Sequence, residues 1–147
     1  MTAFDAYTRD QLRRSYAEAW GKRLAGLPLS PLEALIADVL ALHPEYHAMV
    51  ADPEAQLEFE AAAGAPETNP YLHLGLHLAV REQVAIDRPP GVRTLHRRFQ
   101  VQCGDPHAAE HALMEALAET LWDAQRSGGA PDEQLYLRRA RERLGER

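Results

Sequence analysis

Along most of the chain, apolar residues return every three to four positions. Leu32, Leu35, Ile36, Val39 and Leu40 mark one stripe, Leu72, Leu76, Ala79, Val80, Val84 and Ile86 a second, and Leu113, Leu117, Leu121 and Trp122 a third. At about 3.6 residues per turn, such positions share one face of a helix that can be buried while the rest stays wet. No segment alternates cleanly with a period of two and β-branched residues are sparse, so strand signals are weak. Helix starts are marked separately. Ser30-Pro31-Leu32-Glu33 joins an N-cap hydroxyl, a proline at the first helical position and a glutamate at the third, which together make a capping box. Asp52-Pro53, Asn69-Pro70 and Asp105-Pro106 repeat the cap-then-proline order, because the side chain accepts from an orphan N–H while proline has none to lose. These marks predict helices at 8–25, 31–42, 44–51, 53–62, 70–86, 91–102, 106–127 and 132–145. The segments "GAPET", "DRPPG" and "RSGGAP" read as turns from their glycine and proline content.

The expected fold class is therefore all-α, a single-domain compact helical bundle with short additional helices spanning 1–147. A length of 147 residues suits one domain. With 46% hydrophobic and 26% charged residues the composition is that of a soluble globular chain. A formal net charge of −6 argues against nucleic acid, whose phosphates call for a basic footprint. The single cysteine, Cys103, excludes an internal disulfide and any cysteine-based zinc motif. Neither a signal peptide nor an apolar run long enough for a membrane span is seen, so the expected location is cytoplasmic, without a membrane partner. The apolar helical faces would also support a homodimer.

The unusual feature is the histidines. Six of seven fall in three pairs four residues apart, in "HPEYH" (His43, His47), "HLGLH" (His73, His77) and "HAAEH" (His107, His111). Random placement at this frequency would give roughly 0.3 such pairs, counted against the spacing template. Residues four apart lie on one helical face a turn from each other, so two imidazoles can converge on one ion. None of the pairs has glutamate directly after its first histidine, so the His-Glu-x-x-His zinc protease motif is not present.

The third segment is the richest. His107, His111 and Glu115 follow at intervals of four, and Glu110 stands to one side as a further ligand, an orienting group or a proton acceptor. An exposed polar stripe would look the same. His73 and His77 are embedded among Leu72, Leu74, Leu76 and Leu78; two buried imidazoles would be costly without partners, which points to coordination or to a hydrogen-bonded core pair. Pro44 disfavours helical geometry at His43, so His43 reads equally as a cap or a ligand, with His47 one turn inside the following helix. His73 and His107 fall in first turns, where the helix dipole favours neutral imidazole. An ion's charge would have to be compensated by Glu115, Glu110 or more distantly Glu33 and Asp38. Trp20 and Trp122 read as core anchors, and Arg81-Glu82-Gln83 as an ion-paired helix end. Glycine-rich phosphate loops, haem-attachment motifs and Ser-His-Asp signatures are missing.

Through "PLSPLEALIADVLALHPEYH", "ETNPYLHLGLHLAVREQVAIDRPPG" and "HAAEHALMEALAETLWDAQRSGGAPDEQLYL", the chain resembles the proteobacterial family known as domain of unknown function 1841. The resemblance spans nearly the whole chain, implies a small stand-alone bacterial protein, and brings no activity with it. Hemerythrin-like and DinB-like bundles gather helical histidines around iron or another divalent ion, but neither full pattern is present and the Glu-x-x-His motif of ferritin-like sites is absent.

The residues favour a metal-binding helical protein holding one or two transition-metal ions through His73, His77, His107 and His111, with Glu115, His47 and His43 as further ligands. Iron or zinc suits such donors best. Iron would bring oxygen or peroxide chemistry and zinc the activation of water for hydrolysis of a small-molecule substrate, with Glu110 as the catalytic base. The competing reading is a non-catalytic interaction module whose histidines form a buried hydrogen-bond network.

Overall fold

The computed structural model describes residues 9–52 and 70–145, and every regular element among these is helical. In chain order they are α1 (Arg9–Ala25), α2 (Pro31–Ala41), a 3₁₀ turn (Pro44–Tyr46), α3 (His47–Ala51), α4 (Pro70–Ile86), α5 (Val92–Cys103), α6 (Pro106–Ser127) and α7 (Glu133–Arg143). The chain is all-α, as the periodicity predicts. The helix expected over 53–62, the "GAPET" turn and the Asn69 cap lie outside the described residues. The helix expected over 44–51 is broken in two: Pro44 opens a 3₁₀ turn with His43 held at φ −128°, ψ 69°, and regular helix resumes only at His47.

Contacts divide the chain into two units, one running to Leu78 and the other starting at Ala79. In the first, α1 packs on α2 and α3. Its core combines Tyr16, Ala19 and Trp20 of α1, Ile36, Ala37, Val39 and Leu40 of α2, Met49 and Val50 of α3, and Tyr71, Leu74 and Leu78 of α4. Each fully buried leucine here contributes about 1.5–3 kcal/mol. The capping box at α2 forms as expected: Glu33 N–H donates to Ser30 Oγ at 3.1 Å and Ser30 N–H to Glu33 Oε1 at 2.9 Å. Across the α1–α2 face, Lys22 pairs with Glu33 at 2.6 Å and Arg23 with Asp38 at 2.7 Å.

The stripe expected on α4 is rotated in its first half, although Val80 is fully buried as expected. Tyr71, Leu74 and Leu78 are the buried apolar residues of its first half, while Leu72 and Leu76 are only half-buried. Leucines occupy every second position here, so a 3.6-residue period fits two faces equally well. Stacking of Tyr71 on Tyr16, with ring centroids 5.5 Å apart, belongs to the face that is buried. At the other end Ile86 is 60% exposed.

In the second unit α6 packs against α5 and α7. Val92, Leu95 and Phe99 of α5, Ala109, Leu113, Met114, Ala116 and Leu117 of α6, and Tyr136, Leu137 and Ala140 of α7 are buried. The corner between α4 and α5 is held by Asp87, whose Oδ1 accepts from Gly91 N–H at 3.2 Å and Arg93 N–H at 3.0 Å. In return the Arg93 guanidinium donates to the Val84 and Ala85 carbonyls that end α4. Asp105 caps α6 through Ala108 N–H at 3.0 Å. Gly128 ends α6 at φ +74°, a left-handed conformation that costs a side-chain-bearing residue about 1–2 kcal/mol. Trp122 is not the core anchor expected. It lies two positions, about 200° around the helix, from both buried Thr120 and buried Ala124, and is 53% exposed, with the Arg126 guanidinium 6.0 Å from its ring centroid. Among the described residues no helix is long and apolar enough to cross a membrane.

Candidate metal centre

In the first unit three of the predicted histidines meet. His73 and His77 lie one turn apart on α4, and their Nε2 atoms face each other at 3.2 Å. His43, just past the end of α2, places its ring 5.1 Å from that of His73 and 4.6 Å from that of His77. His77 is fully buried and His43 is 3% exposed.

His43 Nδ1 stands 2.7 Å from the Val39 carbonyl oxygen. A carbonyl only accepts, so Nδ1 carries the hydrogen, and in neutral imidazole Nε2 then carries the lone pair. This is the arrangement by which a backbone carbonyl orients a metal-binding histidine. Its local origin is plain. Leu42 ends α2 in a helical conformation, and Pro44 turns the chain so that the ring folds back over the helix's last carbonyls.

The 3.2 Å between His73 and His77 has two chemical readings. One imidazole can donate Nε2–H to the other. Alternatively both lone pairs can face one cation, since two ligands on a tetrahedral ion with bonds of about 2.0–2.1 Å are about 3.3–3.4 Å apart. Tyr46 flanks the cluster, stacked on His43 with centroids 5.5 Å apart and edge-on to His73 at 6.3 Å. Burial, then the neighbouring Glu45, raises its pKa, so the phenol keeps its proton at neutral pH and is a donor.

His47 goes elsewhere. Its Nε2 donates to the Leu40 carbonyl at 2.6 Å and its ring packs on Trp20 with centroids 4.2 Å apart. The "HPEYH" pair is thus divided between two jobs because the 3₁₀ turn breaks the regular one-turn spacing.

In the second unit His107 and His111 keep that spacing on α6, their ring centroids 4.2 Å apart. Glu115, the third member of the expected face, is not with them in chemistry: its carboxylate is 69% exposed and pairs with Arg143 Nε at 3.4 Å. Glu110, the candidate base, is buried and takes Arg81 Nε at 2.9 and 3.1 Å on its two oxygens. This charge-assisted pair engages both of the oxygens that a catalytic base would use. The expected ion pairing at Arg81 thus finds its partner 29 positions along the chain.

His96, the histidine outside the pairs, carries no spacing signal. Burial lowers its pKa, with Glu110 pulling upward and Arg81 downward. Its signal was position: it is adjacent to Leu95 and one turn from Val92, both on the buried stripe of α5.

These features define a class, an all-α protein in which imidazoles from the end of one helix and the first turns of another cluster together. The chain belongs to the family described as domain of unknown function 1841, whose family model matches residues 8–142. No curated protein and no solved structure matches it.

Proposed function

We propose that the chain binds a transition-metal ion through His43, His73 and His77, and that the His107–His111 pair supplies a second imidazole donor set. The observation that carries this reading is the pair of Nε2 atoms 3.2 Å apart, beside a third imidazole whose tautomer is set by the Val39 carbonyl. Within each unit the ligand atoms are close: those of His43 and His77 lie within 4.8 Å of each other, as do those of His107 and His111. Nitrogen donors of this kind suit iron, zinc, nickel or copper rather than magnesium or calcium. A bound zinc or iron would supply Lewis acidity or redox chemistry. Enzymatic turnover is a further step that these donors permit and do not require.

The competing reading is a non-catalytic interaction module, for which 3.2 Å is the length of an N–H···N hydrogen bond and the buried rings stabilise the fold. Metal analysis of untagged protein separates the two. Near-stoichiometric metal supports the first reading; none, even after incubation with zinc(II) or iron(II), supports the second. The ratio, one ion or two per chain, tells whether the His107–His111 pair takes up metal of its own. His77→Ala is expected to lose metal, and His47→Ala to keep it, since the His47 ring packs on Trp20 and not on the α4 imidazoles. Full metal retention in His77→Ala removes the α4 pair from the site.

A further inference from the structure

The carboxylates that a divalent ion would call on for charge balance are already paired. Glu33 is paired with Lys22, Asp38 with Arg23, Glu110 with Arg81 and Glu115 with Arg143. Glu18, Glu45 and Asp52, the other carboxylates of the first unit whose side chains are described, are exposed, whereas His43 and His77 are buried.

Three neutral imidazoles leave an ion's double charge intact, and a double charge in a buried site is expensive without an anion beside it. They also leave a fourth tetrahedral position, as in catalytic rather than structural sites. Tyr46 stands against two of the three rings, stacked on His43 and edge-on to His73, with a phenol that can donate to a bound anion.

Resting on the metal-binding reading, we propose that the ion held by His43, His73 and His77 takes a small exogenous anion as its remaining ligand, with Tyr46 as the flanking hydrogen-bond donor. Its natural occupant belongs to the class of hydroxide and other small inorganic anions.

The test uses the full chain, stripped with chelator, reloaded with cobalt(II) and titrated with sodium azide while the visible spectrum is followed. Saturable changes in the cobalt bands are expected. Tyr46→Phe should bind cobalt to the same stoichiometry and azide about tenfold more weakly, as suits loss of one hydrogen bond to a charged acceptor. Cobalt bands that ignore azide overturn the anion position while leaving metal binding intact. Equal azide affinity in Tyr46→Phe overturns the role of Tyr46. A chain that takes up no cobalt overturns this proposal together with the metal reading beneath it.

Discussion

At the scale of single residues, each histidine is defined by what its second nitrogen meets. His43 and His47 both reach back to carbonyls at the end of α2, yet only His43 joins the rings of α4. That distinction was not in the spacing. A four-residue interval states that two rings share a helical face when the segment is a regular helix, and Pro44 removes that condition. Nor does spacing tell which segments meet, so the grouping of His43 with His73 and His77 became visible only from the fold. The Arg81–Glu110 pair gives a sharper energetic expectation. Glu110 is 8% and Arg81 24% exposed, so removing the guanidinium leaves a buried carboxylate without its counter-charge, at a cost of about 3 kcal/mol. Chemical denaturation of Arg81→Met should show that loss, and Arg81→Met/Glu110→Leu should recover most of it. A single variant as stable as the parent would mean that the carboxylate is satisfied without Arg81.

At the scale of elements, the helices whose ends carried explicit chemistry were legible. Ser30-Pro31-Leu32-Glu33 and Asp105-Pro106 cap α2 and α6 as read. Legibility failed where pattern was degenerate or mixed, as with the alternating leucines of α4 and the aromatic ring of Trp122 opposite a buried line. Glu33 serves two ends at once, taking Lys22 Nζ and Ser30 N–H. The Lys22 hydrogen bond first, and the Ser30 backbone bond next, lower its pKa from 4.5 to about 2. Because the folded value lies below the unfolded one, its stabilisation is present above pH 4.5 and is lost as pH falls toward 2. Glu33→Gln is accordingly expected to flatten that part of the stability-against-pH curve, measured by thermal melts in low salt. A variant curve parallel to the parent's would show that the capping box carries no proton linkage.

For the whole molecule, helix content and the lack of strand signals were readable from composition and period. The separation of contacts at Leu78 and Ala79 was not, because α4 runs through that point without a break in its pattern. Metal binding has a consequence at this scale. A ligand that binds only the folded chain stabilises it by about 2.7 kcal/mol when its concentration is a hundred times its dissociation constant. Zinc(II) or iron(II) should therefore raise the melting temperature of the parent, and the rise should be smaller in His77→Ala. An equal rise in both would place the ion away from α4.

The attachment of His43 to the Val39 carbonyl carries a mechanical corollary. One nitrogen of the ring holds the Val39 carbonyl in the last turn of α2 while the ring itself lies against the α4 imidazoles. A cation drawing on that ring would tie the end of α2 to α4, so that ion capture becomes readable as slowed deuterium uptake by the backbone amides around Val39 to Leu42.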